Sequence, residues 1–430
     1  MLFSNINILD EQFRHRSGCY VGVRDGVITY IGTEAPAEDF GEVYDGTGRL
    51  LMPGFVNAHS HSGMTLMRGY GENLALSDWL HQRIFPFEAK LTSEAIYNGT
   101  MLAAAEMIRF GIVSTTEMYF DAAAIRRAVM ESGIKMNMGL SVTCFDDRGY
   151  EDLPTYSEML DALQTCHGAA GGRLKLDAAL HAEYTSTQKL AEGVAAFARE
   201  HGLRQHVHLS ETKAEHEECK QRRNGRTPAR YFYDIGFFDS PTSAAHCVWL
   251  EAEDFDLLAE KGVTAASCPV SNLKLASGFP NAPLMLEKGI NYALGTDSVA
   301  SNNNLNLMEE VRLFATLFKA TTGDPTVVTP AQALYAATRA GALAQGRSDC
   351  GLVKEGFRAD LIVLDLRNKP HMYPCHNMVN NVVFAGQGSD VCLTMVDGQV
   401  LYRDGLYTTM DVEAVIAKAN ESTANILRQL

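Results

Sequence analysis

The sequence predicts an α/β protein, a (β/α)8 TIM barrel carrying a small β-sandwich domain built from both chain ends. Three observations predict it. Eight apolar, strand-length runs alternate through the middle of the chain with amphipathic stretches, mostly of helical length. Both ends are instead rich in short strands punctuated by Asp-Gly and Gly turns. No G-x-G-x-x-G phosphate loop follows the first middle strand, where Pro53-Gly54 leads to His59 and His61; a dinucleotide-binding doubly wound sheet would need one.

At the N-terminal end, Ser4–Leu9, Cys19–Arg24 and Val27–Ile31 read as strands, with Asp25-Gly26 and Gly32 as turn residues. The middle strands are Leu51–Ala58, Ile112–Met118, Lys135–Val142, Leu174–Leu180, Arg204–Leu209, Ser243–Val248, Val263–Ser267 and Asn291–Gly295. Helical spacing follows most of them, over Ser93–Phe110, Ala122–Ser132, Thr155–Thr165, Thr187–Glu200, Glu211–Arg222, Ala252–Lys261, Leu284–Lys288 and Leu307–Ala320. Toward the C-terminus, Asp360–Leu364, Val391–Val396 and Gln399–Tyr402 are strands, Asp397-Gly398 is a hairpin turn and Asp411–Leu427 a helix. The strand-rich ends are too short for separate cores, so they are expected to pack together with the barrel inserted between them. The sandwich then takes residues 1–56 and 349–430, the latter including the terminal helix, and the barrel takes 57–348.

Composition bounds the function. Of 430 residues, 46% are hydrophobic and 21% charged, a globular mixture that excludes extensive disorder. Lys and Arg number 37 against 52 Asp and Glu, a net charge of −15. That balance argues against nucleic acid or an anionic membrane as partner, because both attract basic faces. No uncharged apolar run reaches the roughly 18 residues of a membrane helix, and the N-terminal segment lacks the apolar core of a signal peptide. Nine scattered cysteines, with no C-x-x-C pair, read as reduced and mostly buried thiols. A soluble, cytoplasmic protein is expected.

Chemistry concentrates at the strand ends. In Asn57-Ala58-His59-Ser60-His61 the two histidines are spaced i and i+2, so they share one face of the first barrel strand. Two imidazoles on one face form a metal-ligand geometry. The fifth strand ends Gln205-His206-Val207-His208-Leu209-Ser210-Glu211. His208 lies nearer the carboxyl end, where barrel active sites sit, and His206 is expected to be a deeper barrel residue. The sixth strand ends in His246 and the eighth in Thr296-Asp297-Ser298. Each residue taken singly could be an ordinary hydrogen-bonding group. Together, four strands deliver His or Asp at one topological level.

These motifs resemble those of the amidohydrolase superfamily. Leu51-Met52-Pro53-Gly54-Phe55-Val56-Asn57-Ala58-His59-Ser60-His61 is similar to its opening signature, and His208-x-x-Glu211, Ala245-His246 and Gly295-Thr296-Asp297-Ser298 continue it in order. Within the superfamily the chain is similar to the 5-methylthioadenosine/S-adenosylhomocysteine deaminases. Trp79 with Glu88, Cys268–Leu275 and Ala300–Leu305 extend that similarity.

The resemblance implies that His59, His61, His208 and Asp297 hold one divalent metal ion, zinc for preference, with Glu211, His246 and Asp297 as the catalytic set. Three neutral imidazoles and a carboxylate suit zinc and leave room for water. Binuclear relatives bridge two metals with a lysine from the fourth strand; here that strand ends at His181 and its only lysine, Lys175, lies at its start. Substrate contacts are implied for Glu88 at the ribose hydroxyls, Trp79 near the 5′ group, His181 at the purine and Arg148 at a substrate carboxylate. Two acids precede Arg148 in Asp146-Asp147-Arg148, and the usual Pro-His-Ser-Pro-Tyr reads Leu180-His181-Ala182-Glu183-Tyr184.

The expected activity is deamination of a small-molecule purine nucleoside. The substrates would be 5′-modified adenosines, namely 5′-methylthioadenosine, 5′-deoxyadenosine, S-adenosylhomocysteine or adenosine, converted to inosine analogues. Guanine, pterin and s-triazine hydrolases share most of the motifs and form the alternative. A non-catalytic scaffold is disfavoured because every ligand and proton-handling residue is present. A homo-oligomer, dimer or tetramer, is expected from the resemblance.

Overall fold

Eight parallel strands pair in strict sequence order: β1 (Phe55–Ser60), β2 (Ile112–Tyr119), β3 (Lys135–Leu140), β4 (Leu174–Leu180), β5 (Arg204–Leu209), β6 (Thr242–His246), β7 (Thr264–Ser267) and β8 (Tyr292–Leu294). The computed structural model describes all 430 residues. Nearly every residue of these strands is buried, as expected of a parallel sheet covered by helices. Bonds beyond the ladders bring the last strand to the first. The Asp297 amide donates to the His59 carbonyl (3.0 Å). Asn57 does so twice, accepting from the Thr296 amide at 2.9 Å and donating to Thr296 Oγ1 at 2.7 Å. Gly295 permits the approach, since a Cβ there would lie 2.7 Å from the His59 nitrogen. The result is a nearly closed (β/α)8 barrel.

The chain ends pack together through one continuous nine-stranded mixed sheet. Arg49–Pro53 joins its halves, pairing parallel with Leu2–Leu9 and antiparallel with Leu361–Asp365. Sixteen buried residues from both ends form a core beneath this sheet, separate from the 98-residue cluster of the barrel and its helices. The Asp397-Gly398 turn connects Val391–Val396 to Gln399–Arg403, with both turn residues at positive φ (48° and 77°), as a tight hairpin requires. The terminal helix Val412–Leu427 lies along the barrel: Asn98 Nδ2 donates to Ser422 Oγ (3.0 Å) and Thr423 Oγ1 to the Leu66 carbonyl (3.3 Å). No helix is long and apolar enough to cross a membrane. All nine cysteines are free, and only Cys375 is exposed.

Several boundaries differ from expectation for identifiable reasons. The predicted strand Leu51–Ala58 is two strands, broken at Gly54 where the chain leaves the mixed sheet for the barrel. The sixth strand stops at His246 rather than Val248, because His246 and Cys247 adopt positive φ (70° and 50°) that no strand can continue. The predicted helix Glu211–Arg222 begins at Lys213, capped by Thr212, leaving Glu211 outside it. Helical spacing was not recognised over Leu76–Glu88. There an α-turn, the wide π-turn Leu80–Ile84 and a second α-turn form one helical segment; such π-turns recur at functional sites.

A buried ion-pair cluster fastens the barrel to the sheet. Lys135 on β3 is 3% exposed and contacts Asp360 and Asp397, the latter at 2.8 Å. Burial opposes its charge, but the two carboxylates outweigh burial and raise its pKa. Removing one partner leaves buried charge uncompensated, which costs about 3–5 kcal/mol. Lys135→Met is expected to lower the urea midpoint accordingly, and Asp360→Asn with Asp397→Asn in the same chain to recover most of it. An unchanged midpoint for the single variant would refute this account.

Candidate active site

The C-terminal mouth of the barrel gathers the histidines that period-2 spacing placed on one face. His61 Nδ1 lies 2.6 Å from the Met118 carbonyl and His208 Nδ1 lies 2.7 Å from that of His181. A carbonyl only accepts, so both Nδ1 atoms carry the proton. Both Nε2 atoms then present lone pairs, and they face each other at 3.3 Å. Asp297 Oδ1 stands 3.3 Å from His61 Nε2 and 3.5 Å from His59 Nε2. His59 Nε2 is buried without a hydrogen-bond partner. The ligand atoms of His59, His61 and His208 lie within 4.8 Å of one another, as do those of His59, His246 and Asp297. Grouped around a carboxylate, these atoms need positive charge between them, either a proton on His61, whose pKa Asp297 raises to about 9 against burial, or a divalent metal ion. Three imidazoles with a carboxylate are a donor set that fits the ion. Burial lowers the His59 pKa to about 4 and that of His208 well below its usual value, so both imidazoles stay neutral, the form that ligates.

A second layer fixes these groups. His206 lies deeper in the barrel, with Nε2 2.9 Å from His59 Nδ1, where a position two residues before His208 puts it. Asp297 Oδ2 accepts from Ser271 Oγ (2.6 Å) and Ser301 Oγ (3.1 Å), and its Oδ1 from the Ser298 amide (2.7 Å). His246 Nδ1 meets Asn272 Oδ1 at 2.8 Å, which turns Nε2 toward Glu211 Oε2, 3.8 Å away. Glu211 Oε1 accepts from Ser277 Oγ (3.1 Å). Behind it, Glu215 accepts from the amides of Ser210 (3.1 Å) and Glu211 (2.7 Å), pinning the turn out of β5. Burial raises the Glu211 pKa, although His246 opposes the shift. His246 and Asp297 both hold positive φ (70° and 60°), a backbone strain that clusters at functional sites.

Above this cluster lies a cavity of about 280 Å³. His61, His181, His208, Glu211, His246 and Asp297 face it from the barrel, and Trp79 and Glu88 from the helical segment Leu76–Glu88. Much of the remaining wall is apolar, and no lysine or arginine lines it. His181 Nδ1 is tied to Thr185 Oγ1 at 2.8 Å, and burial lowers its pKa to about 3. Burial raises the Glu88 pKa to about 7. Arg148 is the one predicted site residue that the fold does not bring here. Its guanidinium is exposed, outside the cavity wall, with Nε 2.9 Å from Asp146 Oδ1. The nearby aspartate captures it, and the aromatic at that rim is Phe145.

Sequence reasoning passed over Ser271, Asn272 and Ser277, which hold Asp297, His246 and Glu211 in place. Ser271 and Asn272 fall in the stretch Cys268–Leu275 that stands out only by likeness, Ser277 lies beyond it, and single Ser and Asn residues give no periodic signal. It also passed over Tyr119, a cavity residue whose position at a strand end looks like ordinary core.

Comparison with known proteins bears on the same residues. The amidohydrolase family pattern matches residues 50–401. A 5′-deoxyadenosine deaminase of Methanosarcina mazei is 40% identical over 412 residues, covering 95% of this chain and 94% of that protein. A 5-methylthioadenosine/S-adenosylhomocysteine deaminase of Dictyoglomus thermophilum is 39% identical over 429 residues, covering 100% and 99%. The structure of an adenosine deaminase from Xanthomonas campestris with bound zinc superposes with a TM-score of 0.91 at 31% identity, covering 100% of this chain and 98% of that one. With its barrel, its strand-end His and Asp cluster and matches of this extent, the chain belongs to the amidohydrolase family.

Proposed function

We propose that the protein is a metal-dependent hydrolytic deaminase that converts 5′-modified adenosines to the inosine analogues and releases ammonia. The observation that carries this reading is the meeting of Glu211, His246 and Asp297 with three imidazoles at the floor of a mostly apolar cavity that Glu88 and Trp79 also line. Deaminase-named relatives at 39–40% identity support the substrate class. A guanine, pterin or triazine substrate brings no ribose for the Glu88 carboxylate on the wall to bind, so the nucleoside reading is favoured.

His59, His61, His208 and Asp297 would hold one divalent ion, zinc for preference. When bound, such an ion lowers the pKa of water toward about 7 and makes hydroxide available at neutral pH. The side chains do the rest. Glu211, with its pKa raised by burial, donates a proton to a ring nitrogen of the purine as oxygen adds at carbon six. Zinc deaminases of another fold likewise use an unligated glutamate for acid/base work. His246 hydrogen-bonds the incoming oxygen and steadies the tetrahedral centre. Asp297 accepts the water proton, which then passes to the amine; as ammonia leaves, the carbon-six hydroxyl returns a proton to Glu211 and becomes the carbonyl. Atoms balance as nucleoside plus water giving inosine analogue plus ammonia.

Specificity at the 5′ position follows from charge. A substrate carboxylate is best held by a bidentate arginine, yet Arg148 is engaged with Asp146 outside the cavity. Small apolar 5′ substituents are therefore preferred.

Three measurements test the proposal. Glu211→Gln is expected to lower kcat by about 100-fold or more with the metal content of the wild type; near-normal turnover would remove Glu211 from its role. Elemental analysis is expected to give one metal per chain, and chelation to abolish turnover until zinc is restored; two metals per chain would overturn the mononuclear centre. Across a substrate series, kcat/KM is expected to be at least tenfold higher for 5′-deoxyadenosine and 5′-methylthioadenosine than for S-adenosylhomocysteine. The reverse order would show that a cation reaches the cavity after all.

A further inference from the structure

Tyr119 ends β2 and is buried, only 2% exposed, yet it lines the cavity. Its hydroxyl makes no hydrogen bond of normal geometry to the protein, although the Glu88 carboxylate lies close enough to act on it. Buried tyrosine hydroxyls usually find a partner, and an unpaired one in a native protein needs a reason. The ring is deliberately accommodated. A Cβ on Gly63 would lie 2.2 Å from Tyr119 Cε1, so only glycine at 63 admits the ring, and Phe120 stacks obliquely on it at 4.8 Å. The acid beside the phenol is Glu88 on the same wall.

We infer that the Tyr119 hydroxyl is the donor half of a sugar-binding pair whose acceptor half is Glu88. The inference rests on the nucleoside reading of the site. Each ribose hydroxyl carries one proton to donate and two lone pairs that accept. A carboxylate satisfies the protons and leaves the oxygen lone pairs unserved once the sugar enters an apolar cavity. The phenol beside that carboxylate supplies the missing donor. Burial, then the charge of Glu88, pushes the Tyr119 pKa well above 10, so the hydroxyl keeps its proton across the working pH range. Trp79 Nε1 is the other unpaired donor on this side of the cavity. It is pressed against Gly71, whose Cβ would stand 2.7 Å from it, and faces that turn. The sugar is therefore left to Tyr119.

The test is Tyr119→Phe assayed with 5′-deoxyadenosine, 2′,5′-dideoxyadenosine and 3′,5′-dideoxyadenosine. Loss of one hydrogen bond is expected to lower kcat/KM about tenfold on the parent, mostly through KM. The drop is expected to vanish, to within twofold, on whichever dideoxy analogue lacks the contacted hydroxyl. The melting temperature is expected to stay level or rise, because the hydroxyl makes no well-formed hydrogen bond in the free protein. Equal drops on all three substrates, no drop on the parent, or a fall of several degrees in melting temperature would overturn the inference. A wild-type enzyme that turns over none of the three would instead overturn the deaminase reading, and this inference with it.

Discussion

Closure of the barrel between its last and first strands is the constraint on which the site depends. His59 and His61 leave β1 on one face, and Asp297 follows β8; only closure brings the carboxylate to within 3.5 Å of both imidazoles. The seam is made by few groups. Asn57 bonds Thr296 through both ends of its amide, and the Asp297 amide bonds the His59 carbonyl. Gly295 is the glycine of the Gly-Thr-Asp-Ser motif because a side chain there would strike the β1 backbone. Asp297 reaches the centre only by taking a left-handed backbone conformation (φ 60°), which costs of order 1–3 kcal/mol. Hydrogen bonds from Ser271, Ser298 and Ser301 offset that cost and fix the carboxylate.

Charge gives the site its second constraint. Asp297, Glu211, Glu215 and Glu117 are all buried near the mouth, and no lysine or arginine lines the cavity. Backbone amides neutralise part of this: Glu117 accepts from the Ser62 amide and Glu215 from those of Ser210 and Glu211. The imidazoles are the remaining source of positive charge. Burial opposes a proton on His61, yet Asp297 outweighs burial and pushes its pKa up to about 9. The cluster thus calls for a cation at its centre, and a divalent ion answers that call while leaving the imidazoles neutral. The mostly apolar wall above that centre would lower the local dielectric and so strengthen each electrostatic contact made there.

Much of this was legible in sequence, and what was not has physical causes. Period-2 spacing put His59 beside His61 and His206 below His208, because a strand presents alternate residues to one face. Strand ends at His246 and Asp297 were visible because apolar runs stop there. The exact stops were not, since positive φ at His246 and Cys247 is imposed by the surroundings and has no residue signature. Trp79 and Glu88 were singled out by likeness, but the helical segment that carries them was missed. Pro86 and the π-turn Leu80–Ile84 break the 3.6-residue pattern on which recognition depends. Arg148 was put forward with the neighbouring acids already counting against it, and its pairing with Asp146 outside the cavity wall accords with that reading. The unpaired hydroxyl of Tyr119 is a property of what surrounds it and could not be read from one strand.

Glu183 illustrates how a local departure is absorbed. The family resemblance implies Ser-Pro where this chain has Ala182-Glu183, and proline stiffens a loop by fixing φ. Here the same loop is held by charge. The Glu183 side chain is fully buried and accepts from Arg222 Nη2 at 2.6 Å and Arg223 Nε at 2.8 Å. A buried ion pair adds little net stability after desolvation, but breaking one is costly, so it restricts geometry more than it strengthens the fold. Both arginines stand at the far end of the helix that begins just after Glu211. The pair therefore ties the loop carrying His181 and Tyr184 to the element that positions the proposed proton donor. The His181 carbonyl in turn orients His208 through Nδ1. One wall of the cavity, the His208 imidazole and the turn carrying Glu211 are thus linked through ion pairs and hydrogen bonds.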